Sequence, residues 1–132
     1  MSTNNVNMIG NLVDDPVLRY TNTKGKPVTN MRIAVNERIN VNGQWQDRTT
    51  FSNVVCWDGM AENVAATLRK GHRVQVQGRI QIREYTPAED PTAKTYFTEL
   101  VANEVGLSLK FHMAEGVEKC VMTHQADETV AV

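Results

Sequence analysis

No stretch of this sequence approaches the run of roughly 18 apolar residues that a membrane helix needs, and the opening MSTNNVNMIG lacks a secretion-signal pattern. Both absences point to a cytoplasmic protein without a membrane partner. Cysteine is scarce. Cys56 and Cys120 lie far apart and form no CxxC pair, so they are expected as free thiols in a reducing compartment. Cys56, beside Val54 and Val55 on a strand, is expected to be buried and inert. His72, His112 and His124 are scattered with no HxxH or HExxH pattern, so neither a metal nor another cofactor is expected, and no small-molecule ligand. Acidic residues do not cluster either. Asp14-Asp15, Glu89-Asp90 and Asp127-Glu128 are the adjacent pairs, all in loop or tail contexts. Without clustered carboxylates for a metal, a P-loop, a nucleophile elbow or a Ser/His/Asp order, the sequence is not that of an enzyme.

A strong charge of one sign is missing too, since the net charge is −1. That average hides an asymmetry. Residues 1–111 carry 13 Lys and Arg against 11 Asp and Glu, whereas residues 112–132 carry 1 against 4. The body can therefore present a basic face to a polyanion while the tail remains mildly acidic. At 132 residues with 41% hydrophobic side chains, the chain is one domain with one ordinary core.

What is present is clearest at residues 72–85, which alternate strictly. Val74, Val76, Ile80 and Ile82 face one way; Arg73, Gln75, Gln77, Arg79, Gln81, Arg83 and Tyr85 face the other. Gly78 falls on the apolar side, where a barrel strand often bends. The opposite face fits either a solvated outer surface or a cationic, hydrogen-bonding, stacking surface for a polyanion.

Around this strand the other elements fall into order. Val6, Met8 and Leu12 alternate in a first strand that bends at Gly10 and breaks at Asp14-Asp15-Pro16, and residues 17–20 resume an extended stretch. Residues 21–26 (TNTKGK) form a turn. A second main strand covers residues 27–38, with Met31, Ile33 and Val35 inward. Asn42-Gly43 is a hairpin signal, set in a segment long enough for an exposed ribbon. Residues 49–57 are a third strand, and Asp58 is placed to cap a helix carrying Met60, Ala61, Val64, Ala65 and Leu68 at helical spacing. Arg69 and Lys70 suit its negative end, and Gly71 its stop. Residues 86–95 hold two prolines and no apolar pattern, so a mobile loop is expected. A fifth strand spans residues 96–105. Leu107, Leu109, Phe111 and Met113 alternate again, as a further strand reaching beyond the core.

Three strands, a short helix and two strands is the order of the OB-fold, a small five-stranded Greek-key barrel, here with an added C-terminal strand. Residues 1–111 form this domain; residues 112–132 complete the added strand and a short, largely disordered tail. In such a barrel the strand 2–3 face and the loops 1–2 and 4–5 form the ligand surface. Those places hold Arg19, Tyr20, Lys24, Lys26, Arg32, Arg38, Trp45, Arg48, Tyr85, Lys94 and Tyr96, with Arg79 and Arg83 on the alternating strand. Cations that track phosphates and flat rings that accept any base are what a non-specific single-strand binder needs. Phe51, Asn53, Val55 and Trp57 share one face by alternation; from the residues alone, Phe51 and Trp57 fit core packing as well as base platforms.

The segments IGNLVDDPVLRYT, VTNMRIAVNER, TTFSNVVCWDGMAENVAATLRKGHRVQVQGRI and TELVANEVG, in this order and spacing, resemble bacterial single-stranded-DNA-binding proteins over residues 4–111. The resemblance implies a homotetramer that wraps single-stranded DNA in replication, recombination and repair. It places stacking aromatics at Phe51, Trp57 and Tyr85. Another stacking position of some members falls near Ile39, which cannot stack, so that contact is expected to be weakened or moved to Trp45. The segment after Gly106 resembles the actinobacterial branch, in which an extra strand clamps subunits together. The family's Gly-rich tail and acidic, Phe-ended tip do not occur in QADETVAV, so recruitment of replication proteins through such a tip is not expected. In this the chain is more like the short second copy some bacteria carry, which implies roles in chromosome segregation or DNA uptake. The surplus apolar residues of the first strand and of residues 107–113 fit a dihedral tetramer, in which the first strand pairs across a two-fold and the clamp brings Cys120 towards a symmetry mate. An OB-fold subunit serving only protein interaction is the alternative.

Overall fold

Alternation of apolar and polar side chains curls the strands into a sheet that closes on itself. The computed structural model describes residues 4–90 and 92–117, with the backbone alone at Tyr85. The chain runs β1 (Val6–Leu12), β2 (Val17–Tyr20), β3 (Pro27–Val41), β4 (Gln44–Trp57), α1 (Asp58–Thr67), β5 (Arg73–Tyr85) and β6 (Thr95–Leu107). Neighbours follow the order β1-β5-β6-β4-β3-β2, and β1 returns to pair with β3 through Asn11–Ala34 and Leu12–Ile33. That contact closes a five-stranded barrel with one short helix, the architecture of an OB-fold. The extra strand β2 lies outside the ring, along β3.

Inside the barrel, Leu12, Met31, Ile33, Val54, Cys56, Val74, Val76 and Leu100 form a single core, and Ala61, Val64 and Leu68 bring α1 onto it. The fully buried Thr29 hydroxyl donates to the Ala61 carbonyl at 2.7 Å, which satisfies both groups where burial would otherwise penalise them. Asp58 does not cap the helix. Trp57 holds the N-cap position in extended conformation with no side-chain bond, while Asp58 takes a φ of 62° and directs its carboxylate to Lys26 Nζ at 3.7 Å. At the other end α1 stops at Thr67. The Arg69 guanidinium donates to the Ala65 and Leu68 carbonyls at 2.8 and 2.7 Å, so its charge meets the negative helix end as expected.

Asn42 and Gly43, with φ of 53° and 84°, make a two-residue turn at the tip of the β3–β4 ribbon. Beyond the barrel this ribbon is exposed on both faces, so β4 begins at Gln44 rather than at residue 49. The same geometry corrects Ile82, which lies where β5 has left the barrel and is 66% exposed instead of buried. Residues 108–117 form no strand within the chain. Ser108 N–H donates to the Arg73 carbonyl, the Arg73 guanidinium lies 5.5 Å from the Phe111 ring, and Leu109, Phe111 and Met113 remain exposed. Cys120 and the rest of residues 118–132 lie outside the described residues.

Burial pushes the Cys56 thiol up to about 12 from 9.0. Thiolate is the reactive form, so Cys56 is expected to resist iodoacetamide at neutral pH in the native protein and to alkylate once the protein is unfolded in denaturant. Peptide mapping by mass spectrometry separates it from Cys120, and native labelling at Cys56 would contradict its burial.

Candidate nucleic-acid interface

The turn at Asn42-Gly43 fixes the register of β3 on β4, and register decides which side chains share a face. Val28 lies opposite Trp57, Arg32 opposite Asn53, Ala34 opposite Phe51, Arg38 opposite Asp47 and Asn40 opposite Trp45. Directly paired residues point to the same side of a sheet. Trp57, Phe51 and Trp45 therefore occupy one outer face of one strand. They recur every six residues, about 20 Å apart at the usual strand rise. All three are substantially exposed, at 38%, 51% and 62%.

Each ring has its own cation, also at six-residue intervals. Lys26 Nζ lies 5.8 Å from the Trp57 ring, Arg32 Cζ 4.5 Å from Phe51 and Arg38 Cζ 5.8 Å from Trp45. Exposed contacts of this kind contribute about 0.5–1 kcal/mol, enough to bias a side chain beside a ring. Two of the cations also meet carboxylates, Lys26 with Asp58 at 3.7 Å and Arg38 with Asp47 at 3.6 Å. Exposed ion pairs are worth about 0–1 kcal/mol and yield readily to a phosphate. The face thus offers a repeated unit of ring plus neighbouring positive charge, the chemistry that takes a base and its phosphate together.

Most of the residues singled out by sequence gather on or beside this face. Lys24 and Lys26 border a concavity with Trp57, and Arg19 lies opposite Val28, in the row that contains Trp57. The parallel pairs Val54–Leu100 and Val55–Val101 carry the outer face onto β6, and antiparallel pairing extends it to Arg79, Gln81 and Arg83 of β5. Arg79 is exposed there. Arg83 is tied to Glu99 at 3.5 Å, and Gln81 donates to the same carboxylate at 3.2 Å. Arg48 sits on the other face of the ribbon, across from Glu37. Lys94 pairs with Glu84 at 3.6 Å. Tyr96 stands opposite Glu84 and so shares the side away from Arg83. Tyr20 turns to the helix and donates its hydroxyl to Glu62 at 3.2 Å; desolvation, then this bond and the Glu62 charge, raise its phenol above the usual range. The side chain of Tyr85 lies outside the described residues. Phe97 is the residue the sequence reading missed. It is 48% exposed, pairs with Arg83 and therefore belongs to the outer face.

Comparison with known proteins agrees with this geometry. The model of the single-strand binding protein family matches residues 3–108. "Single-stranded DNA-binding protein 2" of Chlorobaculum tepidum is 43% identical over 93 residues, covering 70% of this chain and 62% of that protein. The "Single-stranded DNA-binding protein" of Corynebacterium glutamicum is 41% identical over 114 residues, 84% of this chain and 49% of its own length. "Single-stranded DNA-binding protein 1" of Clostridium acetobutylicum is 37% identical over 103 residues, 77% of this chain and 90% of its own. The chain thus spans 62% and 49% of the first two relatives. Barrel, outer face and family match converge, and the chain belongs to the single-strand binding protein family.

Proposed function

We propose that the protein binds single-stranded DNA without strong sequence preference, as a binding protein and not an enzyme. The observation that carries this reading is the series of three ring-and-cation units on one face, Lys26 with Trp57, Arg32 with Phe51 and Arg38 with Trp45. Rings stack on any base because every base has a π face, and the cations track the phosphates. Anisotropy of labelled oligo-dT tests it. Each phosphate neutralised on a single strand gives a slope of about −0.7 in log K against log salt, so three cations give about −2 per subunit. No binding at low salt would overturn the reading, and metal-dependent shortening of the oligonucleotide would replace it with a nuclease.

The working form in this reading is a homotetramer in the cytoplasm, wrapping the strand in replication, recombination and repair. No helix among the described residues is long and apolar enough to cross a membrane. Exposed Leu109, Phe111 and Met113 support self-association through residues 107–113, since burying each such side chain between subunits contributes about 1.5–3 kcal/mol. Sedimentation equilibrium of the intact chain and of a chain ending at Gly106 is expected to show a tetramer in the first case and dissociation in the second. A monomeric intact protein would sink the assembly, and an equally stable shortened tetramer would sink the clamp.

A further inference from the structure

On the ring-bearing face, residues of strands β2 to β6 and of the β1–β2 connection line an open cavity of 380 Å³. Its walls combine three chemistries. Phe97 supplies an aromatic surface, Arg32 and Arg83 supply guanidinium groups, and Asn30, Asn53 and Asp14 supply groups able to meet the edge of a base. Arg83 is fixed at the Phe97 end by its ladder position and by Glu99, whose side chain is only 11% exposed and also accepts from Gln81. Gln81 and Arg83 thus converge on one carboxylate at this wall. The volume is at the small end for a ligand site, enough for one nucleobase with its sugar.

We propose that this cavity is a nucleobase subsite, in which one base of a bound single strand stacks on Phe97 and presents its edge to Asp14. The proposal rests on the single-stranded-DNA reading and adds a selectivity to it. A carboxylate only accepts hydrogen bonds. Cytosine offers it the N4 amine, whereas thymine presents the O4 acceptor at the equivalent position. Cytosine is thereby favoured over thymine, as are the other bases with an exocyclic amine. Asn30 and Asn53 carry both donors and acceptors and suit either kind of edge. The cavity holds three carboxylates against the two guanidinium groups of Arg32 and Arg83; Glu99 is engaged by Arg83 and Gln81, and Asp15 accepts from the Lys70 backbone N–H at 2.8 Å.

The test compares dissociation constants for dC and dT homopolymers of one length at fixed salt, for the natural protein and for Asp14→Ala, Phe97→Ala and Phe97→Tyr. Stacking within the free strand and the altered net charge affect the absolute constants but cancel when the dC-to-dT ratio is compared between proteins. Asp14→Ala is expected to reduce the relative preference for dC about fivefold. Phe97→Ala is expected to weaken both homopolymers about fivefold or more, and Phe97→Tyr to bind like the natural protein. An unchanged ratio in Asp14→Ala overturns the selectivity. Unchanged affinity in a folded Phe97→Ala, where Trp57→Ala still weakens binding, overturns the stacking subsite and leaves the DNA reading standing. Should Phe97→Ala fail to fold, the Asp14→Ala ratio decides. Failure of the natural protein to bind either homopolymer overturns the DNA reading itself.

Discussion

Replacing Trp57 with alanine is expected to weaken binding of oligo-dT by about 1–3 kcal/mol, or roughly five- to 150-fold, with little change in thermal stability. The expectation follows from where the ring sits. Trp57 ends β4 on the outer face, opposite Val28, with Lys26 beside it and 38% of its surface exposed. Truncation there removes a platform without opening a cavity among the fully buried residues Ile33, Val54, Val74 and Val76. A tryptophan belonging to that core would instead cost about 3–5 kcal/mol of folding free energy. Titration by anisotropy and a melting curve on the same sample separate the two outcomes. Undiminished affinity, or a large stability loss, would remove Trp57 from the binding surface. With Trp45 replaced by phenylalanine, the remaining tryptophan fluorescence also reports directly on stacking at Trp57.

Which parts of this geometry a reader of the sequence can recover depends on whether a core stands behind the pattern. Residues 73–80 alternate because one side is sealed in the barrel, and the face they define is the observed one. Ile82 continues the same pattern in sequence but not in environment. By then β5 has left the barrel, and periodicity carries no record of where a core ends. Gln44–Arg48 is the complementary case, a strand with water on both sides and hence no alternation to read. The cation–ring units were within reach of sequence. A two-residue turn at Asn42-Gly43 places Val41 opposite Gln44, and every later pair, Ala34–Phe51 and Val28–Trp57 included, follows from it. Phe97 was not within reach. Counting back from the partly buried Val105 and Leu107 by alternation puts Phe97 inside. Only the extra residue Asn103, skipped when the partner of β5 shifts from Glu104 to Ala102, turns Leu100 inward and Phe97 outward.

That irregularity also sets the largest stability effect expected of a single methyl group. Gly78 stands at the register shift, and a Cβ built there would lie 2.0 Å from the Val101 carbonyl oxygen and 2.8 Å from its carbon. These are backbone atoms of the neighbouring strand, so no rotamer change relieves the contact. β5 and β6 must instead separate where Val76 and Leu100 pack in the core, at a cost towards or beyond the upper end of overpacking, about 3 kcal/mol. Gly78→Ala should accordingly lower the melting temperature by about 10 °C or more, or prevent folding. Gly106→Ala is the control on the same strand pair. Its added Cβ meets nothing within 4 Å, so its melting temperature should stay close to that of the natural protein. A shift of under about 2 °C for Gly78→Ala would mean that the bulge at Asn103 relaxes to admit a methyl group. The sheet at that point would then be more plastic than its register implies, and the outward placement of Phe97, which depends on the same bulge, would lose its support.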